Sequence, residues 1–156
     1  MAAYLLTYNP KLWHWDNVQD CIEQIRARGH YPMSWTCGNT RSIVPGDRLY
    51  IIRLGVKPRG IFASGKASSN VMEAEHWVES KRARGQLMRY VELNLDVLLD
   101  SDQEPIFPYD KLMDDFPQVR WSARSSGVRL PDGITAGLEA EWQRFLTESG
   151  AAVRQP

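Results

Sequence analysis

The sequence has no long apolar run. A membrane-spanning helix needs about 20 consecutive apolar residues, and no stretch of the 156 residues approaches that length. The first ten residues, MAAYLLTYNP, hold a short apolar run with no basic residue before it, unlike a secretory signal. We therefore expect a soluble, cytoplasmic protein without a membrane partner. The length suits one domain, which we place at residues 1–150 with a disordered tail at 151–156.

Cysteine and histidine are scarce. The two cysteines, Cys21 and Cys37, form no CxxC pair, and the three histidines are scattered along the chain. No run matches a phosphate loop, a dinucleotide fingerprint, a metalloprotease helix or a nucleophile elbow. We therefore expect free thiols, no metal, no cofactor, no catalytic residues and no enzymatic activity.

Charge is balanced overall but not along the chain. The formal net charge is zero, yet residues 41–89 hold ten basic and four acidic residues, whereas residues 90–116 hold one basic and eight acidic residues. Such a distribution gives one face a positive field suited to phosphates, or it is ordinary solvated surface. The residues of that segment that we assign to phosphate binding are Arg53, Arg59, Lys81, Arg82 and Arg84.

Local patterns predict an α+β domain. A strand at 4–8 ends at Asn9-Pro10, and a helix at 17–28 has Asp16 and Gln19 as its capping box and Gly29 as its stop. Further strands are predicted at 33–37, 48–54, 61–66 and 89–95, with helices at 108–116 and 134–146 and a loop at 120–131. The small residues Ala63, Ser64 and Gly65 suggest a bend of the kind that barrels need. We expect a small β-barrel with one early helix and one C-terminal helix.

Tryptophan is unusually frequent, with six in the chain. Trp142 has the spacing of a core residue on a helix, whereas Trp13, Trp15, Trp35 and Trp121 fall in or beside loops. Rings on loops either plug the ends of a barrel or form the walls of a slot for a flat ligand.

Two asparagines accompany these rings. Asn9 and Asn39 offer the paired donor and acceptor that distinguish the edge of one base from another. Each is equally suited to a turn, because asparagine beside proline or glycine is common there.

Several runs together resemble the EVE domain, a branch of the PUA-like fold. They are YLLTYNP at 4–10, WHW at 13–15, WTCGN at 35–39, VPGDRLY at 44–50, RGIFASG at 59–65 and WSARSSGVRLP at 121–131. More narrowly, the chain is similar to the version fused ahead of HNH nuclease domains in bacterial restriction proteins. One departure is Arg124, where that version usually has an amide; this arginine would alter the edge that is read or contact a phosphate.

The resemblance implies a pocket for a flipped, modified base. By motif position, Tyr8, Asn9, Cys37 and Trp121 belong to that pocket, Trp35 is a wall and Asn39 is the polar reader. Trp13 and Trp15 are further walls, so that Trp13, Trp15 and Trp35 together sandwich the base. Because the chain carries no HNH domain, we expect it to cut nothing alone and to act with a separate nuclease, if cleavage follows.

Three other functions stay open at this point. The first is a reader of modified RNA bases, and the second is a sensor of a small molecule or nucleoside. The third is a protein-interaction domain of a restriction or stress operon. Our preferred hypothesis is a non-catalytic reader of 5-methyl- or 5-hydroxymethylcytosine in DNA, for which phosphate contacts offset the cost of extruding the base.

Overall fold

The structure is a computed structural model that describes residues 1–123 and 125–150. Its strands are β1 (Ala3–Tyr8), β2 (Tyr31–Thr36), β3 (Arg48–Arg53), β4 (Gly60–Ala67), β5 (Met72–Glu75), β6 (Leu87–Leu98), β7 (Phe107–Pro108) and β8 (Val128–Arg129). Its helices are α1 (Val18–Arg28), α2 (Glu79–Ala83), α3 (Tyr109–Asp115) and α4 (Asp132–Glu148). The expected phosphate contact of Arg124 and the expected disordered tail at 151–156 lie outside the described residues.

The strands form one mixed sheet in the order β2-β6-β4-β3-β1-β8, to which β5 adds at β6 and β7 at β4. Within residues 1–123 and 125–150, β1 and β3 are the only strands that pair in parallel. The α+β class, the early helix and the C-terminal helix are confirmed. A closed barrel is not confirmed. Within the part of the chain that the structure describes, the sheet ends at β2 and β8, and these two strands do not pair with each other.

Although no ladder joins them, the two ends of the sheet approach one another. The indole N–H of Trp35 in β2 donates to the carbonyl oxygen of Thr7 in β1, over 3.0 Å. The Thr40 hydroxyl donates to the carbonyl of Gly127, and a Cβ at Gly127 would collide with the carbonyl of Cys37. Side-chain bonds and close backbone packing therefore hold the sheet in a curved, nearly closed form.

Strand β4 bends as its small residues predict. The register of β4 against β6 shifts between Ser64 and Gly65, and a Cβ at Gly65 would meet the carbonyl of Asn94 in β6. Only a residue without a side chain allows this approach, so the bulge and the glycine belong together.

The first helix begins one residue later than its capping box predicts. Asn17 is the N-cap and forms no side-chain capping bond, and Gln19 donates instead to the carboxylate of Asp100. The stop at Gly29 is confirmed, because its left-handed backbone lets its N–H donate to the carbonyl of Ile25. The predicted capping box is therefore wrong, although the helix is right.

Helix α4 packs on the sheet through an apolar stripe and a buried ionic network. Ile134, Leu138, Trp142 and Leu146 are buried along one side of the helix, and the Trp142 indole donates to the Ser64 hydroxyl. None of the helices in the described part of the chain is both long and apolar enough to cross a membrane.

The ionic network centres on Arg48, whose guanidinium donates to Glu139 on α4 and to Asp96 on β6. The Tyr50 hydroxyl also donates to Glu139, over 2.6 Å. Burial alone would raise the pKa of Glu139, but hydrogen bonds from Arg48, Gln143 and Tyr50 outweigh it and hold that pKa below its ordinary value. The network is satisfied on all sides, and it fixes α4 at the side of the sheet where β3 and β4 pair.

Candidate functional site

An aromatic cluster lies where β1 ends. We define it as Tyr8, Trp13, Trp15, Trp35 and Phe62. The chain turns back after Tyr8, because the N–H groups of Leu12 and Trp13 donate to the carbonyl of Asn9. The Trp15 N–H then donates to the Tyr8 hydroxyl, over 3.2 Å. This turn places two loop tryptophans beside the tyrosine of the strand.

The rings of the aromatic cluster are in direct contact. The Tyr8 centroid lies 5.5 to 6.1 Å from the other four rings, and the three tryptophans lie 5.3 to 5.6 Å from one another. A flat ligand between two rings needs about 7 Å, twice the ~3.5 Å separation of atoms in contact. The sandwich among Trp13, Trp15 and Trp35 is therefore not formed, and a ligand would stack on an outer face of the cluster.

A cavity of about 870 Å³ adjoins that outer face. We call it the main cavity. Its aromatic wall is Tyr8, Trp13, Trp35 and Trp77. Its aliphatic lining is Leu12, Met33, Leu54 and Met88. The volume is within the range of about 300–1,000 Å³ that is usual for ligand sites, and the mainly apolar lining is typical of them.

Polar groups of the main cavity come from both ends of the sheet. They are Thr7 and Asn9 from β1 and its turn, Ser34 and Thr36 from β2, and Ser122. The cavity therefore combines apolar walls with a few hydroxyl and amide groups, the arrangement that orients a ligand as well as burying it.

The amide of Asn9 is held in a fixed orientation. Its Oδ1 accepts the N–H of Lys11 over 2.9 Å, which requires oxygen rather than nitrogen at that position. Gly55 packs directly against the amide, because a Cβ at Gly55 would lie 2.5 to 2.7 Å from its atoms. The amide oxygen is thus committed to the turn, and the Nδ2 group is the donor that remains for a ligand.

One arginine forms part of the cavity wall. Arg59 lines the cavity, and its guanidinium carbon lies 4.4 Å from the ring centroid of Tyr109. Stacking of this kind restrains an arginine while its N–H groups stay free to bind an anion. Among the expected phosphate-binding residues that the structure describes, Arg59 is the one that lines the main cavity.

The other basic residues lie elsewhere. Lys81, Arg82 and Arg84 are exposed on and just after α2, a few residues beyond Trp77. Arg53 instead lines a second cavity of about 170 Å³ behind the aromatic cluster, with Asp100 and Asp102. The Nε atom of Arg53 is buried and has no hydrogen-bond partner among the described residues.

Tyr8 separates the two cavities and lines both of them. Burial raises the pKa of its phenol, and the nearby Arg53 opposes that rise only in part. The hydroxyl is therefore protonated at neutral pH and is able to donate a hydrogen bond.

Four of the residues expected at the pocket do not line the main cavity. Trp15 is 5% exposed and supports the cluster from the side of the second cavity, and Trp121 is 1% exposed in the core. The Trp121 indole donates to the carbonyl of Phe116. Cys37 is fully buried, and burial raises the pKa of its thiol. Asn39 is exposed and accepts a long bond, 3.5 Å, from Arg89.

The cavity also contains residues that the sequence patterns did not indicate. Thr7, Ser34 and Thr36 are next to Tyr8 and Trp35 in the chain, and strand alternation would have placed them on the opposite face, so it gave no signal for them. Met88 and Ser122 carry no signal either, since only the folding of distant segments brings them to the cavity.

Metal-binding and acid–base groups were sought in the same region. Over the described ranges, 1–123 and 125–150, the structure contains no group of three His, Cys, Asp or Glu side chains placed to hold a metal ion. Among the described residues, those that line the main cavity include no carboxylate and no histidine. What the arrangement supports chemically is stacking on Trp13, to which Trp35 is inclined by 78°, donation from Asn9 and anion binding by Arg59.

The fold is similar to solved structures from bacteria and a protozoan. A hypothetical protein from Leishmania major has a TM-score of 0.60 at 12% identity, over 92% of this chain and 96% of its own. A protein from Pseudomonas syringae has a TM-score of 0.61 at 13% identity, over 90% and 99%. One from Pseudomonas putida has 0.52 at 13%, over 89% and 98%. No protein-family model and no curated protein matches the sequence. At these identities the likeness establishes a shared fold and nothing about function.

Proposed function

We propose that this chain is a non-catalytic reader of a modified pyrimidine, 5-methyl- or 5-hydroxymethylcytosine in DNA, and that it is a member of the EVE branch of the PUA-like fold. The main cavity is the observation that carries the proposal. It joins tryptophan faces, a fixed amide donor and an arginine in one site of about 870 Å³. The motifs at 4–10 and 35–39 resemble the EVE domain. They supply five residues of the cavity lining, namely Thr7, Tyr8, Asn9, Trp35 and Thr36.

Stacking supplies the first part of the affinity. The Trp13 side chain is 46% exposed beside the aromatic cluster, whereas Trp35 is 8% exposed and is fixed by its bond to Thr7. A base stacked on an aromatic side chain gains about 1–3 kcal/mol. Because the planes of Trp13 and Trp35 are inclined by 78°, a base would stack on the exposed face of Trp13, with Trp35 edge-on beside it. One-sided stacking on Trp13 accounts for affinity toward any flat ring, and the choice of ring falls to the other groups.

The aliphatic lining favours a methyl substituent only modestly. Burial of one methyl or methylene group contributes about 0.8 kcal/mol, a roughly fourfold preference for 5-methylcytosine over cytosine. The hydroxyl groups of Ser34, Thr36 and Ser122 offer partners for a hydroxymethyl group. Asn9, through its Nδ2 group, would donate to the carbonyl oxygen or ring nitrogen at the edge of the cytosine.

Phosphate contacts would hold the strand against the cavity. Arg59 is at the wall, and Lys81, Arg82 and Arg84 follow Trp77 in the chain, on and just after α2. Such contacts position a nucleic acid without selecting a sequence, and they make binding weaken with salt. Any cleavage would come from a separate nuclease partner.

The cavity volume favours one alternative of another class, a sensor of a free small molecule or nucleoside. A volume of about 870 Å³ also suits a ligand of drug size. In that case the basic residues after Trp77 are plain surface, and Arg82→Glu leaves binding unchanged.

The test is binding of labelled DNA and RNA oligonucleotides that differ only in one base, namely cytosine, 5-methylcytosine, 5-hydroxymethylcytosine or N6-methyladenine. Trp13→Ala should weaken binding of the preferred strand about 5- to 150-fold. Met113→Ala is the matched control, because Met113 is 48% exposed and lies on α3 outside the main cavity.

Each outcome of that experiment assigns a different ligand. A preference for 5-methyl- or 5-hydroxymethylcytosine in DNA that Trp13→Ala removes would establish the proposed reader, and the same preference on RNA would assign the RNA alternative. A preference for N6-methyladenine would overturn the choice of a pyrimidine, and equal binding of all strands would overturn the modified-base reader. No binding at low salt would leave the small-molecule and protein-interaction hypotheses.

A further inference from the structure

Trp77 is an exposed tryptophan whose indole packs against a neighbouring imidazole. It lies between β5 and α2, its side chain is 60% exposed, and it lines the main cavity. The imidazole of His76 stacks on it, with ring centroids 6.2 Å apart and planes inclined by 23°. Since Nδ1 of His76 accepts the N–H of Val78, the turn itself holds the imidazole in place. One face of the indole is thus backed, and the other is open.

Trp77 is separate from the aromatic cluster. Among the described residues, His76 is the one aromatic ring that contacts Trp77, whereas Trp13 and Trp35 contact each other and Tyr8. The main cavity therefore has two aromatic platforms, one at its inner wall and one at Trp77.

The size of the cavity exceeds the need of one base. Cavities of several hundred cubic ångströms hold drug-sized ligands, and a cytosine base has fewer than a dozen non-hydrogen atoms. A base stacked on Trp13 beside Trp35 leaves most of the 870 Å³ unoccupied. The remaining volume exceeds that of a second ring, and Trp77 and Met88 are among the residues that line the cavity.

The charge near Trp77 indicates what that second ring belongs to. Residues 76–89 contain four basic residues and one acidic residue. Lys81 and Arg82 form no ion pair with any described carboxylate, and both are exposed. An aromatic face followed by unpaired cations is the combination that binds single-stranded nucleic acid, in which each base carries its own phosphate.

We propose that Trp77 is the stacking platform for the nucleotide adjacent to the captured base, so that the site binds a unit of at least two nucleotides. This inference rests on the proposed function, because it takes the first base to be held at Trp13 and Trp35. It assigns the ligand of the same site as a strand rather than a free nucleoside.

The experiment compares five probes by calorimetry. They are deoxycytidine monophosphate, 5-methyldeoxycytidine monophosphate, the two dinucleotides that join the latter to thymidine in either order, and a dinucleotide whose second sugar lacks a base. The abasic probe adds a sugar and phosphate without a second ring, and so separates stacking from charge. We expect one complete dinucleotide to bind about 5- to 150-fold more tightly than the monophosphate and the abasic probe.

Three variants locate that gain. Trp77→Ala should abolish it, so that the dinucleotide binds no more tightly than the monophosphate does, whereas Trp77→Phe should restore most of it. Leu87→Ala is the matched control, because Leu87 is 54% exposed in the same segment but does not line the cavity. Thermal melting checks that all variants are folded, which the exposure of both side chains favours.

The failure of this inference is distinguishable from that of the proposed function. If the monophosphate binds with its preference for the modified base, but the dinucleotide gain is missing or survives in Trp77→Ala, the role of Trp77 is overturned and the base reader stands. If neither monophosphate nor dinucleotide binds with any preference for the modification, both are overturned.

Discussion

Replacement of Gly55 by alanine is the sharpest test of how the Asn9 amide is held. Gly55 has a φ of +84°, a left-handed conformation that disfavours a side chain. The added Cβ would also lie 2.5 Å from Oδ1 and 2.7 Å from Nδ2 of Asn9. The amide must therefore move, and its bond to the Lys11 N–H is lost with it.

Gly46 provides a control with the same strain and no neighbour. Its φ is +93°, and a Cβ there meets nothing within 4 Å. A non-glycine residue in this conformation costs roughly 1–2 kcal/mol, which both variants should show. Gly55→Ala should lose about 0.5–1.5 kcal/mol more, the net value of one hydrogen bond, equivalent to a further fall in Tm of about 2–4 °C per kcal/mol.

The assays are urea unfolding and oligonucleotide binding. Gly55→Ala should weaken binding of the preferred oligonucleotide about 2- to 12-fold through the displaced Asn9 donor, and Gly46→Ala should not change it. In an Asn9→Ala background the steric conflict is gone, so that Gly55→Ala should then cost no more than Gly46→Ala does. If Gly55→Ala lowered the free energy of unfolding equally in both backgrounds and left oligonucleotide binding unchanged, the contact with Asn9 and its role in binding would be refuted.

Three further predictions concern stability and accessibility. Trp15→Ala should cost about 3–5 kcal/mol, because the ring is buried, and the half-exposed Trp13→Ala should cost less in the same urea titration. The pKa of Glu139 lies below its ordinary 4.5, so its carboxylate stabilises the fold above about pH 4.5 and that stability is lost as the pH falls further. Glu139→Gln should therefore lower stability at pH 7 and flatten its decline below pH 4.5. Cys21 and Cys37 are 1% and 0% exposed, so alkylation should follow global unfolding, and rapid labelling of native protein would contradict their burial.

Regular elements with a buried face were predictable from the sequence. The strands at β1, β3 and β4 and the helices α1 and α4 carry apolar patterns that match their buried sides. Strand β5 and helix α2 were missed. Helix α2 buries no residue and spans one turn, and β5 has exposed glutamates at alternate positions. Strand β5 forms because β6 offers an edge to pair with, and local patterns do not encode that pairing.

The site was predictable in composition but not in arrangement. Trp13 and Trp121 each fall in or beside a loop, and both were assigned to the pocket. Trp13 lines the main cavity, whereas Trp121 is buried beside Phe116. Long-range packing separates them. Asn39 was expected to read the base, whereas its place after Cys37 and Gly38 directs it toward Arg89. The amide that reaches the cavity is Asn9, because Gly55, more than forty residues away, leaves room for it.

The open end of the sheet explains why the cavity lies where it does. Strand β2 is the last strand at one end of the sheet, so one of its edges has no strand partner within the described residues. Strand β1 pairs with β8 only through Tyr4 and Leu5, so the rest of that edge of β1 extends beyond β8. These two edges face each other across the main cavity, with Thr7 on one side and Ser34 and Thr36 on the other. A ladder there would close the barrel and fill this space with backbone bonds. Instead one indole bond, from Trp35 to Thr7, spans the gap. Exposed strand edges invite pairing with other chains, and here the Trp35 indole ties the two edges to each other instead, which leaves the main cavity beside them.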